Sequence, residues 1–160
     1  MNTAYLLLGS NIGKRENYLL QAAELIEKKI GKITSASSLY NTSAWGNENQ
    51  NDFLNQAVRI KTNFSAEEVL KNILSIEKEL GRERNTKWAA RIIDIDILFF
   101  NQEIISSKDL TIPHPYLHER RFALIPINEI DPNFIHPILN KTVRILLEKC
   151  PDKLPVIAAK

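Results

Sequence analysis

The segment KWAARIIDIDILFF, residues 87–100, contains the strand from which the fold is predicted. From Ile92 onward nearly all side chains are β-branched or large and apolar, which is typical of a buried strand. Asp94 and Asp96 interrupt this composition. Residues two apart in a strand point to the same face, so the two carboxylates lie side by side, with α-carbons roughly 7 Å apart. The alternating isoleucines are predicted to fill the opposite face.

Two like charges on a mostly apolar strand require a cation between or above them. Leu98 and Phe100 are predicted to continue the face of the aspartates, so this face is not the solvated side of an edge strand. Carboxylate oxygens without His or Cys nearby in sequence favour magnesium. This ion usually takes one or two protein carboxylates plus substrate phosphates. The strand therefore predicts a metal site at Asp94 and Asp96.

The segment before the strand is basic and contains Arg82, Arg84, Lys87 and Arg91. Surface ion pairs are one interpretation, and such pairs contribute little. Three of the four residues are arginines, however, whose planar fork matches phosphate oxygens. Acids that hold magnesium beside arginines that hold phosphate are typical of phosphoryl-type transfer. Trp88, in the same segment, is either a buried anchor or part of a lid over a flat ligand.

Composition narrows the class of protein. The 160 residues, 44% hydrophobic and 25% charged, predict one globular domain over 1–160. A net charge of +2 gives no field that implies a nucleic acid or a membrane as partner. Cys150 is the only cysteine, which excludes an internal disulfide and zinc sites built from cysteine pairs. We expect a soluble cytoplasmic protein, because no segment has the length of a signal peptide or a membrane span.

The predicted elements follow the order β-α-β-β-α-β. They are a strand at 4–8 with a turn at 9–11, a helix that ends at Gly31, strands at 33–40 and 53–61, a helix from the capping box at Ser65 to Gly81, and the aspartate strand. All seven prolines lie after residue 112, which predicts a turn-rich C-terminal extension. The order is typical of an α+β, ferredoxin-like fold, an antiparallel sheet with both helices packed on it. Because this fold hosts many functions, the site has to indicate which one applies.

Two shorter segments contain candidate binding residues. His114 lies between two prolines on a stiff extended segment, where it is either structural or in contact with phosphate. Phe53 and Asn55 share one face at a strand start. They are either a packing pair or the aromatic ring and amide that a flat polar heterocycle requires. The run from Gly9 to Lys14 lacks the spacing of a phosphate-binding P-loop.

Together these segments resemble the 6-hydroxymethyl-7,8-dihydropterin pyrophosphokinase family of folate biosynthesis. The resemblance rests on GSN at 9–11, YNT at 40–42, DFLN at 52–55, Glu77, Gly81-Arg82 with Arg84, KWAARIIDIDIL at 87–98, and LTIPHP at 110–115 followed by Arg120 and Phe122. It implies a ferredoxin-like α/β sandwich. It also implies transfer of the β,γ-diphosphate of ATP to the hydroxymethyl oxygen of the dihydropterin, with AMP leaving.

The resemblance also implies roles for individual residues. Two Mg²⁺ ions would be held by Asp94 and Asp96, and catalysis would involve Asp96, Arg82 and Arg91. ATP would contact Glu77, Arg84, Trp88, Arg91, Thr111, His114 and Arg120. The pterin would contact Thr42, Ala44, Trp45, Phe53, Asn55, Trp88 and Phe122. The expected partners are ATP and the dihydropterin, with no nucleic acid and no membrane, and the expected state is a monomer.

A non-catalytic ferredoxin-like module that binds a small ligand is the alternative interpretation. It explains the fold but leaves the two aspartates and the arginines without a task. RNA binding on the same fold is disfavoured, since the chain has no aromatic RNP-type segment and is nearly neutral.

Overall fold

The computed structural model describes residues 1–42, 52–81 and 92–159. The main sheet contains β1 (Asn2–Ser10), β2 (Lys32–Ala36), β3 (Tyr40–Thr42), β4 (Phe53–Thr62), β5 (Asp94–Phe100) and β8 (Val156–Ala158). A small second sheet pairs β6 (Ile105–Ser106) with β7 (Thr111–Ile112). The helices are α1 (Arg15–Lys29), α2 (Ala66–Glu79), α3 (Arg121–Ile130) and α4 (Val143–Glu148), with a short 3-10 helix at Leu117–Glu119. None of the helices in the described ranges has the length and apolar character needed to cross a membrane.

The order of the strands confirms the predicted ferredoxin-like core. The main sheet runs β5-β1-β4-β3-β8, and β2 also pairs with β4. Every pairing is antiparallel. The first, second, fourth and fifth strands, with α1 and α2, form the β-α-β-β-α-β unit. The turn-rich extension adds α3, α4 and β8.

A separate hydrophobic core lies on each face of the sheet. Alternate residues of β1 point to opposite faces, so that Leu6 and Leu8 join one core while Tyr5 and Leu7 join the other. The first core contains apolar residues of α1 and α2, and the second contains those of α3 and α4. Burial of each large apolar side chain contributes about 1.5–3 kcal/mol. The two cores hold β1 and its neighbours rigidly at the centre of the molecule.

The ends of the helices follow from local chemistry. The predicted capping box is present: Ser65 Oγ accepts from the Glu68 amide at 3.2 Å, and Glu68 Oε1 accepts from the Ser65 amide at 3.0 Å. Gly81 has φ +91°, a left-handed conformation that favours glycine at a helix end. Gly31 is required for a different reason, because a β-carbon there would lie 2.0 Å from the Lys61 carbonyl oxygen.

Two predicted boundaries were wrong. β1 continues through Gly9 to Ser10, so this glycine lies in a strand and not in a turn. The predicted strand at 33–40 is two strands, β2 and β3, which are separated at residues 37–39. The Ser37 hydroxyl causes part of this break, since its Oγ accepts from the Ala57 amide at 2.9 Å and donates to the Ser38 carbonyl at 2.8 Å. A side chain that bonds the backbone in this way competes with the strand ladder.

The predicted face of Phe100 was also wrong. The pairing of β1 with β5 shifts by one residue between Tyr5 and Leu6, which marks a β-bulge at Leu98. After the bulge, the alternation of side chains between the two faces of the sheet is shifted by one residue. Phe99 therefore joins Leu98 in the core beside α3 and α4, while Phe100 packs in the core beside α1 and α2.

Candidate active site

Asp94 and Asp96 occupy the first and third positions of β5. They lie opposite Gly9 and Leu7 of β1, respectively. Both aspartates are partly exposed, whereas the isoleucines on either side and between them are buried in the core beside α1 and α2. The predicted shared face of the two carboxylates is therefore present.

One row of residues crosses the sheet at the site. Gly9 pairs with Asn55 on one side and with Asp94 on the other. Residues directly opposite each other in an antiparallel ladder project to the same face. Neighbouring strands are about 4.8 Å apart, so the Asn55 and Asp94 backbones are separated by roughly 10 Å. Gly9 has no side chain, so this row forms a floor, between an amide and a carboxylate, over which the Asn55 side chain can lie.

The Asn55 end of this floor is tightly organised. Asn55 Nδ2 donates to Thr42 Oγ1 at 2.6 Å, and both residues are buried. A β-carbon on Gly9 would lie 2.6 Å from Asn55 Oδ1 and 3.5 Å from Phe53 Cδ1. Phe53 and Asn55 thus share the predicted face. The role of Gly9 was not predicted from the sequence motifs, although a glycine inside a strand is a known signal of close approach.

Glu77 supports the aspartate end of the floor from within the fold. Its side chain is buried, and its Oε2 accepts from the amide of Ile95 at 2.8 Å. Ile95 is the residue between the two aspartates. The hydrogen bond to a carboxylate fixes the backbone on which both candidate metal ligands stand.

His114 lies beside β5, because its amide donates to the Leu98 carbonyl at 3.1 Å. Burial lowers the pKa of His114 to about 4; the charge of Arg120 acts in the same direction, and that of Asp94 opposes both. The imidazole is therefore neutral at pH 7. Nδ1 accepts from the Tyr116 amide at 3.2 Å, which leaves the proton on Nε2.

Arg120 links this histidine segment to α3. Its guanidinium carbon lies 5.2 Å from the centroid of the Tyr116 ring and 5.7 Å from that of the Phe122 ring. Contacts of this kind between a cation and aromatic rings are favourable. Thr111 is exposed on β7, opposite Ser106. The remaining predicted site residues, Ala44, Trp45, Arg82, Arg84, Trp88 and Arg91, lie outside the described residues.

The described residues around β5 supply few donors for a metal ion. Within residues 1–42, 52–81 and 92–159, no group of three or more His, Cys, Asp or Glu side chains could hold a metal ion. The two carboxylates of β5 are the candidate donors at this site. A pair of carboxylates fits magnesium, which keeps several waters and binds substrate phosphates as well.

Comparisons with known proteins identify the family. The family model described as 7,8-dihydro-6-hydroxymethylpterin-pyrophosphokinase (HPPK) matches residues 5–132. The chain belongs to this pyrophosphokinase family. An Aquifex aeolicus relative named 2-amino-4-hydroxy-6-hydroxymethyldihydropteridine pyrophosphokinase is 46% identical over 90% of this chain and 89% of its own length. A Bacillus subtilis relative of the same name is 48% identical over 81% of this chain and 78% of its own length.

A solved structure of the family supports the fold independently. Plasmodium falciparum HPPK-DHPS wild type with pteroate matches with a TM-score of 0.77 at 23% identity. The match covers 92% of this chain and 42% of that longer chain. At this identity the likeness applies to the fold alone.

Proposed function

We propose that this chain transfers the β,γ-diphosphate of ATP to 6-hydroxymethyl-7,8-dihydropterin, giving the pterin diphosphate and AMP. Membership of the pyrophosphokinase family and the names of its close relatives support this activity. One structural observation carries it: the floor at Gly9 joins an amide that can read a heterocycle to a carboxylate pair that can hold magnesium. A non-catalytic binding module leaves this pairing unexplained.

The dihydropterin would bind at the Asn55 end of the floor. The Asn55 amide can both donate and accept, and its bond to Thr42 restricts its orientation. Phe53 offers a ring on the same face, and Phe122 is proposed to stack on the other side of the pterin. Ala44, Trp45 and Trp88 are proposed to complete this pocket.

ATP would bind at the Asp94 end. Asp94 and Asp96 are proposed to hold two Mg²⁺ ions, which when bound would neutralise charge on the phosphates. The neutral His114 has its Nε2 proton to donate to a phosphate oxygen, and Arg120 adds a fixed positive charge. The proposed ATP contacts also include Arg84, Trp88, Arg91 and Thr111, whereas the buried Glu77 would act on the nucleotide site through the Ile95 backbone that it holds.

The reaction is a single displacement at phosphorus. The hydroxymethyl oxygen would attack the β-phosphorus and release its proton to solvent, while the bond to the oxygen bridging the α- and β-phosphates breaks and AMP leaves with that oxygen. Arg82 and Arg91 are proposed to stabilise the charge on the transferring group. Catalysis of this kind depends mainly on position and charge.

We also propose that 1–160 is one domain and acts as a cytoplasmic monomer.

Phosphorus NMR tests the proposed function. Protein mixed with ATP, magnesium and the hydroxymethyl dihydropterin is expected to produce AMP and a pterin diphosphate in equal amounts. A mixture without the pterin is the control for hydrolysis of ATP. Formation of ADP, or no turnover by folded protein, would contradict the proposal.

A further inference from the structure

The strand that presents Thr42 is very short. β3 has only three residues, and on one edge it pairs with β4, where Thr42 lies opposite Phe53. On its other edge it pairs with β8, where Thr42 lies opposite Val156. A pair of strands this short has little stability of its own. The position of Thr42, and with it the bond to Asn55, therefore depends on both neighbours.

β8 is attached to this region through its backbone. The Ala159 amide donates to the Leu39 carbonyl at 2.8 Å, and Ala159 packs against the core beside α1 and α2. Hydrogen-bonded pairs recur at every second residue of an antiparallel ladder, so the next such pair is Asn41 with Ile157. The Ile157 side chain is 64% exposed. Its contribution is therefore made mainly by its amide and carbonyl groups.

A second contact holds the start of β3 but not its end. Glu129 of α3 accepts from the Tyr40 hydroxyl at 2.5 Å and from the Ser38 amide at 2.9 Å. Burial, followed by this contact with Glu129, raises the pKa of Tyr40 to about 12. These bonds fix residues before Thr42. Thr42 itself is restrained by β4 on one edge of β3 and by β8 on the other.

We propose that β8 is a positioning element for the dihydropterin site, which holds Thr42 against Asn55 by pairing with β3. The inference rests on the proposed function, because it takes the Asn55 end of the floor as the pterin pocket. The β8 residues lie outside the 5–132 range that matches the family model, whereas Thr42 and Asn55 lie inside it. Asp94 and Asp96 are on the opposite edge strand, so β8 should influence the pterin and not the nucleotide.

Ile157→Pro tests this proposal, because proline removes the amide hydrogen without removing a buried side chain. Ile157→Thr is the matched control, since it keeps both the amide and a β-branched side chain. In steady-state assays we expect the proline variant to raise the KM for the dihydropterin about tenfold, the equivalent of one lost hydrogen bond. The KM for ATP should stay within about twofold, and the threonine variant should match the original chain.

Thermal unfolding followed by circular dichroism accompanies the assays. A folded proline variant with an unchanged KM for the dihydropterin would overturn the proposal, as would an equal rise in both KM values. If Ile157→Pro does not fold, Ala159→Pro is the second variant, because it removes the bond to Leu39 alone. Ala159→Ser is its control. We again expect the KM for the dihydropterin to rise while the KM for ATP stays unchanged. No turnover by the original chain would instead contradict the proposed function. The effect of β8 would then be measured as the affinity for the dihydropterin, followed by fluorescence. Equal affinity of the proline and threonine variants would overturn the proposed role of β8.

Discussion

Asp96→Asn is expected to lower kcat by roughly 10³-fold or more while the protein stays folded. Asparagine keeps the shape of the side chain on the partly exposed face of β5 but removes the charge that would hold the metal. Metal ions supply several kcal/mol of charge stabilisation in such reactions. Each 1.36 kcal/mol corresponds to about a tenfold change in rate. Steady-state production of AMP measures the effect.

A second variant, in which an exposed carboxylate outside the site is replaced by its amide, controls for the change in net charge. Glu67 is exposed in the first turn of α2, away from β5, so Glu67→Gln should leave turnover within about twofold. Circular dichroism should show similar melting for all three proteins. Substantial turnover by folded Asp96→Asn would remove Asp96 from the metal site.

Phe99→Ala is expected to lower the free energy of unfolding by about 3–5 kcal/mol. Phe99 is fully buried where β5 meets the core beside α3 and α4. Its ring centroid lies 5.9 Å from that of Tyr5 in an edge-to-face arrangement and 4.3 Å from that of Phe134. The His136 ring packs edge-on against it at 5.6 Å, and burial lowers the pKa of His136 to about 4. A cavity at this position would thus be lined by rings that cannot collapse into it.

Urea denaturation measures this loss, and Phe99→Leu is the matched control. Leucine retains more of the buried volume, so its loss should be clearly smaller than that of alanine. A loss below about 1 kcal/mol for Phe99→Ala would show that the second core does not depend on Phe99 as the packing indicates.

Features with a short repeat were predictable from the sequence. The period of two in a strand placed Asp94 with Asp96 and Phe53 with Asn55, and the structure has both pairs on shared faces. The capping box at Ser65 was also predictable, because the two residues that form it are only three positions apart. The order of the elements then gave the ferredoxin-like core.

Features that depend on pairing between distant strands were not predictable. The floor at Gly9 exists because β1 pairs in register with both β4 and β5. The bulge at Leu98 displaces the alternation by one residue, which reverses the faces of Phe99 and Phe100. The pairing of β8 with β3 joins segments more than 100 residues apart. No local pattern in the sequence encodes such registers.

Asp94 and Asp96 are proposed to bind the divalent cation at one end of this floor. Mn²⁺ added below stoichiometric amounts, together with a non-hydrolysable ATP analogue, broadens the amide NMR signals of residues near the ion. We expect the amides of residues 94–97 and of His114 to broaden first. Those of Thr3 and Thr62, toward the far end of β1 and β4 and about 17 Å or more from the midpoint of the aspartate pair, should broaden far less. Broadening centred on any other part of the chain, or unchanged in an Asp94→Asn/Asp96→Asn double variant, would contradict the claim.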